Sequence, residues 1–322
     1  MTSGWLDVHG HFAVPSTEAE REAAAKELTD DLRFITTADR LKWSVQESLA
    51  NTDQMGVTMQ MLSNVPSTLE GLRAANDFGA SIIQSHPHRF GLFAALPTDI
   101  PHACLEEIDR TLAFPIPPDG FAVHPCHNKV YLSDRSLDPV WTRLNTLKAV
   151  LYIHPDAYVP EFRDRPGSLI EVTFETARTL TDMLYTGWFR RYPDIKVIFS
   201  HCAGAFPGLY GRILRLGTES WVSNPEGITV EEMEAQLSRL RVDTGGMALT
   251  GLPAAERMVG VGHCLYGSDC GAPCSTIDTM MRNKQDVIDF EKNENIKPGT
   301  IGTNAWEVFP AAAERARAGG SL

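Results

Sequence analysis

Apolar residues along this chain follow two alternating patterns. Short runs, nearly continuous in Val, Ile, Leu, Phe and Tyr, end in Gly, Pro, His or Asp, and each leads into a stretch with helical periodicity. Eight such runs occur: WLDVHGH (5–11), VTMQML (57–62), FGLFAAL (90–96), GFAVH (120–124), AVLYIH (149–154), KVIFSH (196–201), LRVDTG (240–245) and CLYGSD (264–269). Continuous hydrophobicity is what parallel strands buried on both faces require. Helices are predicted between them over 68–85, 169–191, 207–216 and 230–240. Eight strands alternating with helices in 322 residues predict an α/β protein, a (β/α)8 TIM barrel rather than an open doubly wound sheet.

No Gly/Ser/Pro-rich linker, charge run or internal repeat divides the chain, so one domain over 1–322 is expected. Residues 12–51 are too long for an ordinary βα connection, and the acidic, Ala-rich stretch 16–32 predicts a helix. Because it follows the first strand, this insertion would lie over the C-terminal rim of the barrel, either as a lid or as a plain surface excursion.

Composition narrows the function. With 43% hydrophobic and 22% charged residues, and no apolar run near the roughly 18 that span a bilayer, membrane and disordered classes are excluded. Acids outnumber bases 41 to 29, and no basic block exceeds Arg190-Arg191, so a nucleic-acid partner is not expected. The six cysteines include no CxxC pair, and the first residues lack a basic-then-apolar leader. A cytoplasmic protein is expected.

The histidines bring in chemistry. Five of the ten lie in or just after the predicted strands. His9 and His11 are two apart, so on a strand they share a face. His154 ends the fifth run, His201 the sixth and Asp269 the eighth. In a TIM barrel these ends converge on the rim that carries active sites. Three imidazoles and a carboxylate suit a borderline divalent ion and leave a position open for water or substrate.

The segments DVHGHF (7–12), YIHP (152–155), SHCAGAFP (200–207) and YGSDCGAP (266–273) resemble the amidohydrolase superfamily, in its nonhydrolytic, aminocarboxymuconate-semialdehyde decarboxylase-like branch. The resemblance extends through most of the chain, including NDFGASIIQSHPHRFGLFAALP and LDPVWTRLN. It implies a metal-dependent barrel, assembled as a homodimer or dimer of dimers, with Zn²⁺ or Mn²⁺ bound. It makes His9, His11, His154 and Asp269 the metal ligands and His201 the acid/base beside the open coordination position. It further implies that Arg212, eleven residues after His201, reaches the substrate carboxylate of a neighbouring subunit. Hydrolytic members often end the fourth strand with a metal-bridging lysine; His124 stands there here, which favours one metal. Two departures stand out. Cys202 and Ala203 follow His201 where the branch has glycines, and Ser48 aligns with a substrate-binding arginine of the muconate-semialdehyde enzymes. Phe12 and Phe174 are candidates for an aromatic wall, with core packing as the alternative for each.

The resemblance implies nonoxidative decarboxylation of a hydroxybenzoate-type acid of the 6-methylsalicylate kind, with Asp269 and His201 as catalytic groups. The alternative is a hydrolase or hydratase acting on a lactone or an unsaturated diacid, since the same ligands can activate water.

Overall fold

The computed structural model describes residues 4–159, 163–320 and 322. Its strands, in chain order, are β1 (Trp5–His11), β2 (Val57–Ser63), β3 (Phe90–Ala95), β4 (Gly120–Val123), β5 (Cys126–His127), β6 (Val130–Tyr131), β7 (Val150–Ile153), β8 (Lys196–Phe199), β9 (Arg241–Asp243) and β10 (Cys264–Leu265). Eight of them form one parallel sheet in the order β1-β2-β3-β4-β7-β8-β9-β10, while β5 and β6 make a small antiparallel hairpin beyond β4. The sheet curls until its edges meet. Val8 N–H donates to Tyr266 O at 2.9 Å, Asp269 N–H to His9 O at 2.9 Å and His11 N–H to Cys270 O at 2.7 Å. The eight predicted strands are thus the eight staves of a (β/α)8 barrel.

Strand alternation sorts the apolar side chains into two layers. Val150 and Tyr152 of β7 point inward, with Leu6, Val8, Met59, Met61 and Ile198. Leu151 and Ile153 point outward, against the surrounding helices. The inner layer continues into the C-terminal helices Ala305–Val308 and Pro310–Ala318, and the ring of Phe309, between the two, lies 5.6 Å from Phe93. Trp306 Nε1 donates to Gly4 O at 2.8 Å. These helices stopper the end of the barrel where the strands begin, leaving the other rim for chemistry.

The expected helices form with adjusted ends. Leu69–Ser85 is capped by Thr68, whose side chain accepts from Gly71 N. The long helix expected over 169–191 is Gly167–Tyr185 followed by a separate turn, Trp188–Arg191, because Gly187 between them adopts φ 66°. In the insertion after β1, Thr17 and Glu20 form a capping box that starts the helix Glu18–Leu32, and a second helix, Val45–Gln54, leads into β2. Arg33 lies 3.8 Å from Asp164, which ties the insertion to the segment after β7. Among the described residues no helix is long and apolar enough to cross a membrane.

Candidate metal centre

Strict alternation along β1 would set His9 on the opposite face from Val8, which is in the barrel interior. The register shows how both come inside: Asp7 pairs with Gln60 but Gly10 pairs with Leu62, three steps against two. That extra residue is a β-bulge, and it turns His9 toward the mouth beside His11. Backbone shape also aims the other groups. Asp269 has φ 63°, and His201, Cys202 and Ala203 have φ 52°, 53° and 61°, so both strand ends leave through left-handed turns.

The cluster is tight. One ligand atom from each of His9, His11, His154 and Asp269 falls within 4.8 Å of the other three. Nε2 of His9 and Nε2 of His11 are 3.1 Å apart, and Asp269 Oδ1 lies 3.2 Å and 3.1 Å from them. The His154 ring centroid is 4.9 Å from that of His9 and 4.8 Å from that of His11. His201 stands at the edge of the group, 4.9 Å from His9 and 5.0 Å from His154.

The electrostatics of the group suit a cation. Burial, together with charge on His11, His9 and His201, holds His154 well below the usual imidazole range, and its Nε2 is sequestered without a hydrogen-bond partner. A neutral ring with an unused nitrogen turned into a carboxylate-bearing cluster has the donor chemistry of a metal ligand. Burial also opposes ionisation of Asp269, but hydrogen bonds and charge from His11 and His9 outweigh it and hold the carboxyl well below its usual range. His201 is pushed down to about 4 by burial and by the charge on His9.

Sequence reasoning missed the residue behind this group. Asp243, at the end of β9, is fully buried and its Oδ1 lies 3.0 Å from His9 Nδ1. The same oxygen accepts from His201 N–H at 3.2 Å and Gly245 N–H at 2.8 Å, while Oδ2 accepts from Tyr152 OH at 2.9 Å. A carboxylate on Nδ1 holds a proton there, so Nε2 is the nitrogen that His9 turns to the cluster and the one an ion would take. The approach is so close that a Cβ on Gly245 would sit 2.5 Å from the His9 ring. The signal was present, since LRVDTG carries its carboxylate where the fifth and sixth runs carry histidine.

The remaining predicted residues lie outside the cluster. Ser48 is buried, and its Oγ donates to Gln60 Oε1 at 2.9 Å while Gln60 Nε2 donates to Asp7 at 2.7 Å. It also lines a cavity of about 360 Å³ between the insertion and the loop after β10, with Arg40, Trp43, Asn51 and Cys270. Ser275, on the same cavity wall, donates to Asp269 Oδ2 at 3.0 Å. Phe12 packs between Trp43 and Phe78, each ring 6.1 Å away, in an outer core cluster with Leu62 and Ile82. Phe174 is exposed, with the Arg178 guanidinium 5.9 Å over its ring. Arg212 lies on the outer face of the helix Phe206–Leu216 and makes no ion pair among the described residues. His124 sits at the end of β4 with its ring nitrogens 2.8 Å from His154 O and 3.0 Å from Val65 O, so it braces the backbone of His154. Cys202 fills the space over Gly251, whose added Cβ would come within 2.9 Å of it.

Residues 6–311 match the amidohydrolase family. The chain is 28% identical over 330 residues to the decarboxylase macB of Penicillium terrestre, covering 95% of this chain and 94% of the relative. It is 27% identical over 322 residues to the 6-methylsalicylic acid decarboxylase of Penicillium expansum, covering 95% and 96%. A dihydroxybenzoic acid decarboxylase from Polaromonas, solved with manganese and the inhibitor 2-nitroresorcinol, superposes with a TM-score of 0.74 at 23% identity, over 96% of this chain and 97% of that one.

Proposed function

Because the chain belongs to the amidohydrolase family, we propose that it is a metal-dependent carboxy-lyase that removes CO2 from a hydroxybenzoate-type acid and leaves the phenol. The observation that carries this reading is the convergence of His9, His11, His154 and Asp269, with the unpartnered Nε2 of His154 turned into the group. The names of the relatives support the substrate class. We assign those four residues as ligands of one divalent ion, Zn²⁺ or Mn²⁺. The manganese of the Polaromonas structure supports the second, and three imidazoles with one carboxylate suit the first.

Held by His9, His11, His154 and Asp269, a divalent ion would supply positive charge to orient the substrate carboxylate and its ortho hydroxyl and to draw electrons from the ring. The protein supplies the proton path. Both Asp269 and His201 rest unprotonated near neutral pH, so the proton must reach them from the bound acid's own hydroxyl or from solvent. Asp269, at the cluster's open side, then passes it to the ring carbon bearing the carboxylate, and His201 relays or polarises. The carbon–carbon bond breaks, its electron pair returns to the ring, and CO2 leaves. Asp243 and Tyr152 keep His9 in place throughout, and His124 does the same for the His154 backbone.

Arg212 we assign to a second copy of the chain: it is exposed and makes no ion pair among the described residues, which suits a carboxylate clamp offered across a homodimer or dimer of dimers. Six free cysteines suit a cytoplasmic location. Addition of water to a lactone or unsaturated diacid is the second reading, favoured by the low pKa of His201, which makes it a base at rest. Metal-loaded protein incubated with hydroxybenzoates and, separately, with lactones separates the two. CO2 release from the first set with no acid release from the second is expected; the reverse result overturns the decarboxylase reading.

A further inference from the structure

Asp7 is fully buried, and the proposed reaction does not use it. Four donors converge on its carboxylate. Oδ1 accepts from the backbone N–H of His9 at 3.0 Å and of Ser268 at 2.9 Å, while Oδ2 accepts from Gln60 Nε2 at 2.7 Å and from Ser268 Oγ. The Ser268 oxygen in turn accepts from Cys270 N–H at 3.1 Å, which leaves its own proton for Asp7.

The two backbone donors belong to the irregular parts of the site. Val8 and His11 donate to the backbone at the end of β10 three residues apart, where a regular strand would set such donors two apart. The amide of His9 falls in that interval and turns to Asp7. Across the seam, Ser268 N–H immediately precedes the left-handed turn at Asp269, and the next amide, that of Asp269, donates to His9 O at 2.9 Å. His9 is thus held through its N–H by Asp7 and through its carbonyl by Asp269, and Asp7 holds the residue before Asp269. This circuit ties together the backbones of two proposed ligands whose side chains meet at 3.2 Å.

The carboxylate is itself fastened from behind. Gln60 pairs with Asp7 across β1 and β2, its Oε1 accepts from Ser48 Oγ at 2.9 Å, and a Cβ on Gly10 would lie 2.5 Å from its Cδ. Asp7, Gln60, Ser48 and Ser268 are all at most 2% exposed, so a donor stranded by loss of the carboxylate has no bulk water to turn to.

We propose that Asp7 is a positioning residue of the metal centre, holding the bulge of β1 and the turn after β10 in the register that brings His9 and Asp269 onto one ion. Asp243 holds the ring of His9; Asp7 holds its backbone. This role rests on the metal-centre reading proposed above, and the test separates the two.

Wild-type protein, Asp7→Ala and Asp7→Asn are freed of metal and titrated with Co²⁺ against a competing chelator, while the visible absorption of the bound ion reports its ligand geometry. Melting of the metal-free proteins is followed alongside. Asp7→Ala should bind Co²⁺ about 10–100-fold more weakly and with an altered spectrum. Asp7→Asn, whose carboxamide oxygen still accepts from both backbone amides, should recover most of the affinity and the wild-type spectrum. If Asp7→Ala folds poorly, Ser268→Ala, which unfastens Oδ2 and the amide of Cys270, should weaken binding in the same sense. A lowered melting temperature with wild-type affinity and spectrum in both alanine variants makes Asp7 a fold-stabilising residue only and overturns the proposal, as does an Asp7→Asn variant no better than Asp7→Ala. Failure of the wild-type protein to take up Co²⁺ overturns the metal-centre reading, and this role with it.

Discussion

His9 and Asp243 stand 234 positions apart in the chain and 3.0 Å apart in the barrel. Their contact joins the first strand to the seventh stave, and it sets which nitrogen of His9 faces the cluster. Replacing Asp243 with Asn should leave the fold intact but loosen the metal by about 10–100-fold. Competition with a chelator of known affinity measures this, and an unchanged affinity would remove Asp243 from the site.

His154 and His201 have different proposed roles, the one as ligand and the other as proton carrier. His154→Ala should reduce the bound metal, by elemental analysis, from near one per subunit to a small fraction. His201→Ala should retain the ion while turnover falls by about 10²–10⁴-fold, the usual scale for a lost proton-transfer group. Loss of metal from the second variant would make His201 a ligand.

Metal binding should release a proton. Burial disfavours charge on His9, but Asp243 and Asp269 outweigh it and push its pKa up to about 10, so an entering ion displaces the proton. From this group alone the apparent affinity should climb roughly tenfold per pH unit while pH remains below that value. Titrating metal into weakly buffered protein should acidify the solution by about one equivalent.

A substrate whose hydroxyl is ortho to its carboxylate offers two oxygens to one centre, and its para isomer cannot. The ratio of kcat/KM between 2-hydroxy and 4-hydroxy acids with matched ring substituents should exceed about 100. Equal values would leave the metal site standing and remove the two-oxygen capture.

Far from the site, Glu107 is buried beneath two half-exposed guanidiniums, at 2.7 Å from Arg110 and 3.3 Å from Arg73, and accepts from Asn76 at 2.7 Å. Burial opposes its charge, but Arg110 and Asn76 outweigh it and the pKa falls below the ordinary value. A depressed carboxyl stabilises the fold above its unfolded pKa and ceases to do so as pH falls through the folded one. Glu107→Gln should therefore cost about 2 kcal/mol at pH 7, and the gap from wild type should close below about pH 4 in denaturant titrations.

The barrel was legible because strands covered on both faces cannot afford polar interruptions, and Val150–Ile153 or Lys196–Phe199 stand out for that reason. Their ends were legible because His154 and His201 break hydrophobic runs abruptly. The bulge at Val8 and His9 was not, since it depends on the register against β2, which a single strand does not encode. Asp243 was passed over because Asp-Thr-Gly reads equally well as a turn. The β5–β6 hairpin pairs only Cys126–His127 with Val130–Tyr131, too short to show any period. Nor do small residues such as Ala312 and Ala316 announce that their helix stoppers a barrel.

The closure of β1 against the end of β10 has a consequence for how the protein is made. His11 and Asp269 are separated by 258 positions, so at about 5–20 residues per second the ribosome needs roughly 10–50 s after making one of these proposed ligands to reach the other. During that interval His9 and His11 belong to a strand with no neighbour on one side. Ion capture must wait for the nascent chain to be nearly complete, so cells starved of the metal should accumulate finished, empty protein that is rescued by adding the ion without new synthesis.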